Sequence, residues 1–179
     1  MNDIKFRTLR EDEIEVRIQS VTENGLVLLL YKDSRTDMNI LDETIGPFNW
    51  KREHTRDNSN CILSLWDKEK QQWVSKEDTG TESNTEKEKG LASDSFKRAA
   101  FNWGIGRELY TAPFIWVKAD DLSKITCNTV GSKKIYKCND KFKVEKIAYS
   151  DSKTIIGLSI INTTTNKRCF LIKPQTGNK

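Results

Sequence analysis

A chain of 179 residues has room for one real core and a small appendage, and five Trp and seven Phe supply buried anchors even though 31% of positions are charged, which excludes a disordered chain. No run of 18 apolar residues occurs, and residues 1–10 lack the apolar stretch of a secretory signal, so a soluble, cytoplasmic protein that does not enter a membrane is expected. The net charge of +4 is uneven: 13 basic against 5 acidic residues from Lys118 onward give +8, and 17 against 21 before it give −4. The last third is therefore either a polyanion-facing region or a solvated lysine surface.

In chain order, residues 13–20 and 25–31 read as two strands joined by the Asn24-Gly25 turn, with the start of a buried helix as the alternative for the second run. Met38, Leu41 and Ile45 recur at helical spacing after a cap at Asp33 or Ser34, and Gly46-Pro47 stops that helix. Residues 50–56, 61–66 and 72–79 form an antiparallel meander, its turns marked by Asp57-Asn58-Ser59-Asn60 and Asp67-Lys68-Glu69-Lys70. A polar stretch leads to a second helix over about 85–103, with Thr85 and Glu88 as a capping box and Gly104 and Gly106 at its end. Residues 113–117 are a short strand, 118–139 a connector, and 141–149, 154–162 and 167–172 a second meander. Residues 174–179 are expected to fray. The fold class is α+β: an antiparallel β-meander flanked by two helices, with a C-terminal β-rich extension. The expected organisation is a core over residues 1–117 and a basic extension over 118–179.

The second helix carries the functional signal. At about 100° per residue, Ala92, Phe96, Ala99, Ala100 and Trp103 form one apolar stripe, while Asp94, Lys97, Arg98 and Phe101 project from the other side. Phosphate-binding chemistry of the nucleotide hydrolases is absent: there is no G-x-x-x-x-G-K-[ST], and Gly104-Ile105-Gly106 follows a helix and lacks a third glycine. The single His54 has no nucleophile partner, and Cys61, Cys127, Cys138 and Cys169 show no C-x-x-C spacing, so neither a catalytic dyad nor a zinc site is expected and the thiols read as reduced. Asp42-Glu43 and Glu77-Asp78 are candidates for the divalent ion of a nuclease, but adjacent side chains on a helix or strand diverge. No cofactor is expected.

What remains is recognition of phosphate by cations and of bases by aromatic rings. Lys97 and Arg98 are the first candidates. Phe101, one turn from Lys97, either stacks on a base or packs in a subunit contact. Arg35 opens the first helix, Lys51, Arg52 and Arg56 lie on the strand after Trp50, and alternation places Arg52, His54 and Arg56 on one face. Arg107 either joins this group or caps helix carbonyls.

The run from Met38 to Trp50, the meander, Ser93-Asp94-Ser95-Phe96-Lys97-Arg98-Ala99 and then Trp103 to Tyr110 resembles the Rad-fifty-two family of single-strand annealing proteins, in its phage and prophage recombinase branch. The resemblance covers about residues 30–117. It implies a helix–sheet–helix core that assembles into rings or filaments, holds single-stranded DNA by its backbone in a basic groove with bases outward, and anneals strands without ATP in homologous recombination and repair. It implies DNA contacts by Lys97 and Arg98, by Arg35 with a one-residue gap, and by Phe48 in the glycine turn. The expected partners are single-stranded DNA, further copies of the chain, and a single-strand-binding protein or partner exonuclease; the expected location is the bacterial host cytoplasm for a phage-encoded chain. Phe101 stands where family members often carry a further basic residue. A metal-dependent nuclease and a structural or partner-binding module with a basic tail are the alternatives.

Overall fold

The computed structural model describes residues 4–81 and 87–174. The chain divides into two compact units and crosses between them three times: one unit holds residues up to Thr8 and Asp33–Arg107, the other Leu9–Lys32 and everything from Glu108. The fold is α+β with antiparallel sheets. The expected boundary at 117/118 falls inside a strand, Ile115–Lys118, so the core and extension divide elsewhere. The physical cause is strand pairing between distant segments, described below.

The first unit contains the expected helix, three strands and helix: α1 (Ser34–Ile45), β3 (Trp50–Thr55), β4 (Asn60–Asp67), β5 (Gln72–Thr79) and α2 (Lys87–Asn102). The Asp33 carboxylate caps α1 by accepting from the Arg35 N–H at 2.9 Å. At the other end Gly46 N–H donates to the Asp42 carbonyl (3.0 Å), Asn49 Nδ2 to the Ile45 carbonyl (2.6 Å) and Trp50 Nε1 to Asp42 Oδ1 (2.7 Å). These bonds fix the turn that joins helix to sheet. β4 is the central strand, with Arg52 opposite Leu63 and Leu63 opposite Lys76, so all three side chains share one sheet face.

That face also carries Cys61 and Leu65, and α2 packs over it. Phe96, Ala99 and Ala100 have no exposed surface, as the stripe demands. The stripe also swallows Ser95, whose hydroxyl donates to the Asn58 carbonyl at 3.0 Å. Burial pushes the Cys61 thiol up to about 11 and, with the nearby Arg52 charge, pushes His54 below its ordinary value. Of the capping box expected at Thr85 and Glu88, Thr85 lies outside the described residues.

Gly80, one residue past β5, lies tight against α2: a Cβ built there would lie 2.5 Å from Ser95 N and 2.9 Å from the Leu91 carbonyl oxygen. Both neighbours are backbone and cannot swing aside. Gly80→Ala is therefore expected to destabilise this unit by about 1–3 kcal/mol, the usual cost of overpacking, read as a lower urea midpoint with unchanged slope.

The second unit is a six-stranded antiparallel sheet built from β1 (Glu15–Thr22), β2 (Gly25–Tyr31), β6 (Ile115–Lys118), β9 (Phe142–Tyr149), β10 (Ile155–Asn162) and β11 (Lys167–Ile172), in the order β11-β10-β9-β1-β2-β6. The N-terminal hairpin and the C-terminal meander thus form one sheet, because β1 accepts β9 on its free edge and β2 accepts β6. Leu26, Leu28, Ile115, Val117, Leu158 and Ile160 supply its core. The segment expected to be a connector instead contains a separate ribbon, β7 (Thr126–Val130) and β8 (Lys133–Lys137). Of the end expected to fray, residues 175–179 lie outside the described residues. Among the described residues no helix is long and apolar enough to cross a membrane.

Candidate nucleic-acid interface

The C-terminal end of α2 gathers positive charge. Lys76, on β5, donates from Nζ to the Asn102 carbonyl at 2.9 Å. Arg107 donates to that same carbonyl from Nη2 (2.9 Å) and to the Phe101 carbonyl from Nε (2.7 Å). Two like charges are therefore held side by side where the helix presents its unsatisfied carbonyls, an electrostatically favourable place for cations. Among the described residues no carboxylate pairs with either one. Arg98 lies one turn earlier and donates from Nε to Asp78 Oδ1 at 3.2 Å, and among the described residues neither of its Nη groups has an acceptor. Asp78 is also served by the Thr79 N–H (2.7 Å) and Asn102 Nδ2 (3.2 Å), so it does not depend on Arg98. Rings flank the cluster: Arg107 sits 5.5 Å from the Phe101 ring centre and Lys76 4.5 Å from that of Trp103.

The other expected residues are placed differently. Lys97 is 3.8 Å from Asp94 on its own helix, and Arg35 is bound to Asp33, whose carboxyl it holds below the usual range. With side-chain exposures of 29% for Lys97, 45% for Arg98 and 82% for Arg35, such pairs are each worth about 0–1 kcal/mol, and phosphate can displace the carboxylate. The Ser93 hydroxyl donates to Ser34 Oγ at 3.0 Å, which sets the start of α1 beside α2 one turn before Lys97.

Arg52 is exposed but does not form a basic stripe with Arg56. Its guanidinium lies 4.7 Å over the buried Phe96 ring, where it covers the core edge. Arg56 departs from the alternation altogether: the strand ends at Thr55, and Arg56, Asp57 and Asn58 all take positive φ, +50°, +50° and +68°. Lys51 points to the opposite sheet face, 4.8 Å over Trp73, which in turn contacts Trp66 edge-on at 5.3 Å. Phe48 is 92% exposed on the turn after α1. A twelve-residue helix, about 18 Å long, separates it from Arg35.

The acids considered for a metal turn to separate partners: Asp42 to Trp50, Glu43 to Arg7 (2.7 Å), Glu77 to Asn60 (3.3 Å) and Asp78 to Arg98. Among the described residues no three of His, Cys, Asp and Glu are grouped as metal ligands.

Lys76 is the member that sequence reasoning missed. Its signal was available in the strand alternation of Val74, Lys76 and Asp78, which puts all three on the helix-covered face. Arg107 caps helix carbonyls, the second of its two readings, and meets Lys76 there at the Asn102 carbonyl. No family model, curated protein or solved structure matches this chain.

Proposed function

We propose that this chain binds single-stranded DNA by its phosphates and anneals complementary strands without ATP, in recombination and repair. The observation that carries the reading is the Lys76–Arg107 pair, held side by side with no carboxylate partner among the described residues and extended by Arg98, whose Nη groups have no acceptor among those residues. Phosphate oxygens are the natural acceptors for such donors, and Arg binds them in bidentate fashion. Phe101 supplies an aromatic surface beside the cations. The helix, three strands and helix occur in the order that the resemblance implies.

A few contacts per copy give weak affinity at physiological salt, so the proposed active form is a ring or filament in which many copies hold one strand. Base pairing then supplies the driving free energy, while the protein offsets phosphate repulsion. A reducing cytoplasm suits the four free cysteines.

Fluorescence anisotropy with a labelled oligonucleotide, combined with annealing of complementary strands in buffer lacking ATP, tests this. The expected result is binding that weakens with salt at about 0.7 units of log affinity per phosphate contact, together with faster annealing. Absence of salt-dependent binding at low ionic strength would refute it.

A further inference from the structure

The β7–β8 ribbon has no place in the site just described, yet its charge is less compensated than that of α2. Residues 124–139 contain four lysines, Lys124, Lys133, Lys134 and Lys137, and neither Asp nor Glu. All four are exposed, and among the described residues none of them pairs with a carboxylate. Gly131, with φ +61° and open space around it, makes the tight tip.

The two faces of the ribbon differ. Cys127 and Tyr136 lie opposite each other on one face, and the Tyr136 hydroxyl donates to Glu23 Oε2 at 3.1 Å, which ties that face to the β1–β2 turn. The other face carries Thr126, Asn128, Val130, Lys133, Ile135 and Lys137. Val130 is 65% exposed and Ile135 37% exposed, so this face offers two cations around two bare aliphatic groups.

We propose that the ribbon is a second nucleic-acid contact, independent of the α2 cluster, which enters the major groove of a duplex. Lys133 and Lys137 stand four residues apart on one strand, about 13 Å, a span close to the groove's width of about 12 Å, so their ammonium groups reach phosphates on both walls. A two-stranded ribbon fits that groove, and Val130 and Ile135 meet base edges, where thymine methyl groups accept apolar contact. A membrane surface is the other polyanion that lysines and aliphatics suit. It is disfavoured because the outward face has no Trp, Phe or Leu to sink among acyl chains, and the one aromatic of the ribbon is tied inward.

The test uses the full chain and anisotropy on a labelled duplex and on its separate strand. Lys133→Ser with Lys137→Ser is expected to lower duplex affinity about tenfold at low salt and to reduce the salt slope by about two units, at about 0.9 per contact. Single-strand affinity should change less than about twofold, and the circular dichroism spectrum should be unchanged because both lysines are exposed. Lys167→Ser with Lys173→Ser removes equal charge from elsewhere in the unit and should leave duplex binding intact. The proposal is overturned if duplex affinity is unchanged, if single strands suffer equally, if the control pair has the same effect, or if the variant instead loses binding to phosphatidylserine vesicles. A Lys76→Glu, Arg98→Glu protein that loses the single strand but keeps the duplex separates this contact from the first.

Discussion

Lys76→Glu combined with Arg98→Glu is expected to lower affinity for a labelled single strand on the order of 100-fold at low salt, and to abolish annealing. Each charge-assisted bond to phosphate is worth about 1.5–3 kcal/mol, and reversal adds repulsion to its loss. The fold should survive, because both side chains are exposed and Asp78 retains its bonds from Thr79 and Asn102. A milder pair, Lys76→Gln with Arg98→Gln, should lose less affinity and lower the salt slope by about 1.4 units, at about 0.7 per contact on a single strand. Lys51→Glu is the matched control: it lies on the far sheet face against Trp73 and should leave binding nearly unchanged. If Lys51→Glu weakens binding as strongly as the double reversal, the protein attracts DNA through total charge and the α2 cluster is not the site.

Phe96→Ala is expected to have the largest effect on stability, about 3–5 kcal/mol. The ring is completely buried, stacks on Trp50 at 6.1 Å between centres and has the Arg52 guanidinium 4.7 Å over it. Truncation leaves a cavity between α2 and β3 and removes the surface that holds Arg52. Urea unfolding of the variant should show the helix–sheet unit melting at a lower midpoint, with single-strand binding lost in parallel because Arg98 and Arg107 depend on the position of α2. A loss below about 1 kcal/mol, well under the usual cost of truncating a buried Phe, would mean that Phe96 is not packed between α2 and the sheet.

The helices and meander were readable because their signals are local. Asp33 caps, Gly46-Pro47 stops a helix, and the Phe96, Ala99, Ala100 stripe needs only a neighbouring sheet. The site was less readable because it depends on register across strands. Lys76 reaches α2 only through the pairing of Leu63 with Arg52 on one side and with Lys76 on the other. Arg56 left the expected face because three successive residues adopt left-handed backbone, which strand alternation cannot foresee. Lys97, Arg98 and Arg35 were recognisable as cations outside the apolar stripes, but their pairing with Asp94, Asp78 and Asp33 arises from side-chain geometry. The division into units was hidden for a similar reason, since Glu15 pairs with Lys143 and no local pattern announces so distant a partner.

That pairing has a consequence for biosynthesis. Every segment of the helix–sheet unit has left the ribosome soon after Arg107, whereas the β1 edge, made before α1, must wait for residues 142–149 before it acquires its neighbour. The nascent chain therefore carries an unpaired strand edge while residues 23–141 are made, a state open to wrong partners. Cutting the gene at the junction between residues 117 and 118 would make that waiting permanent in the upstream fragment.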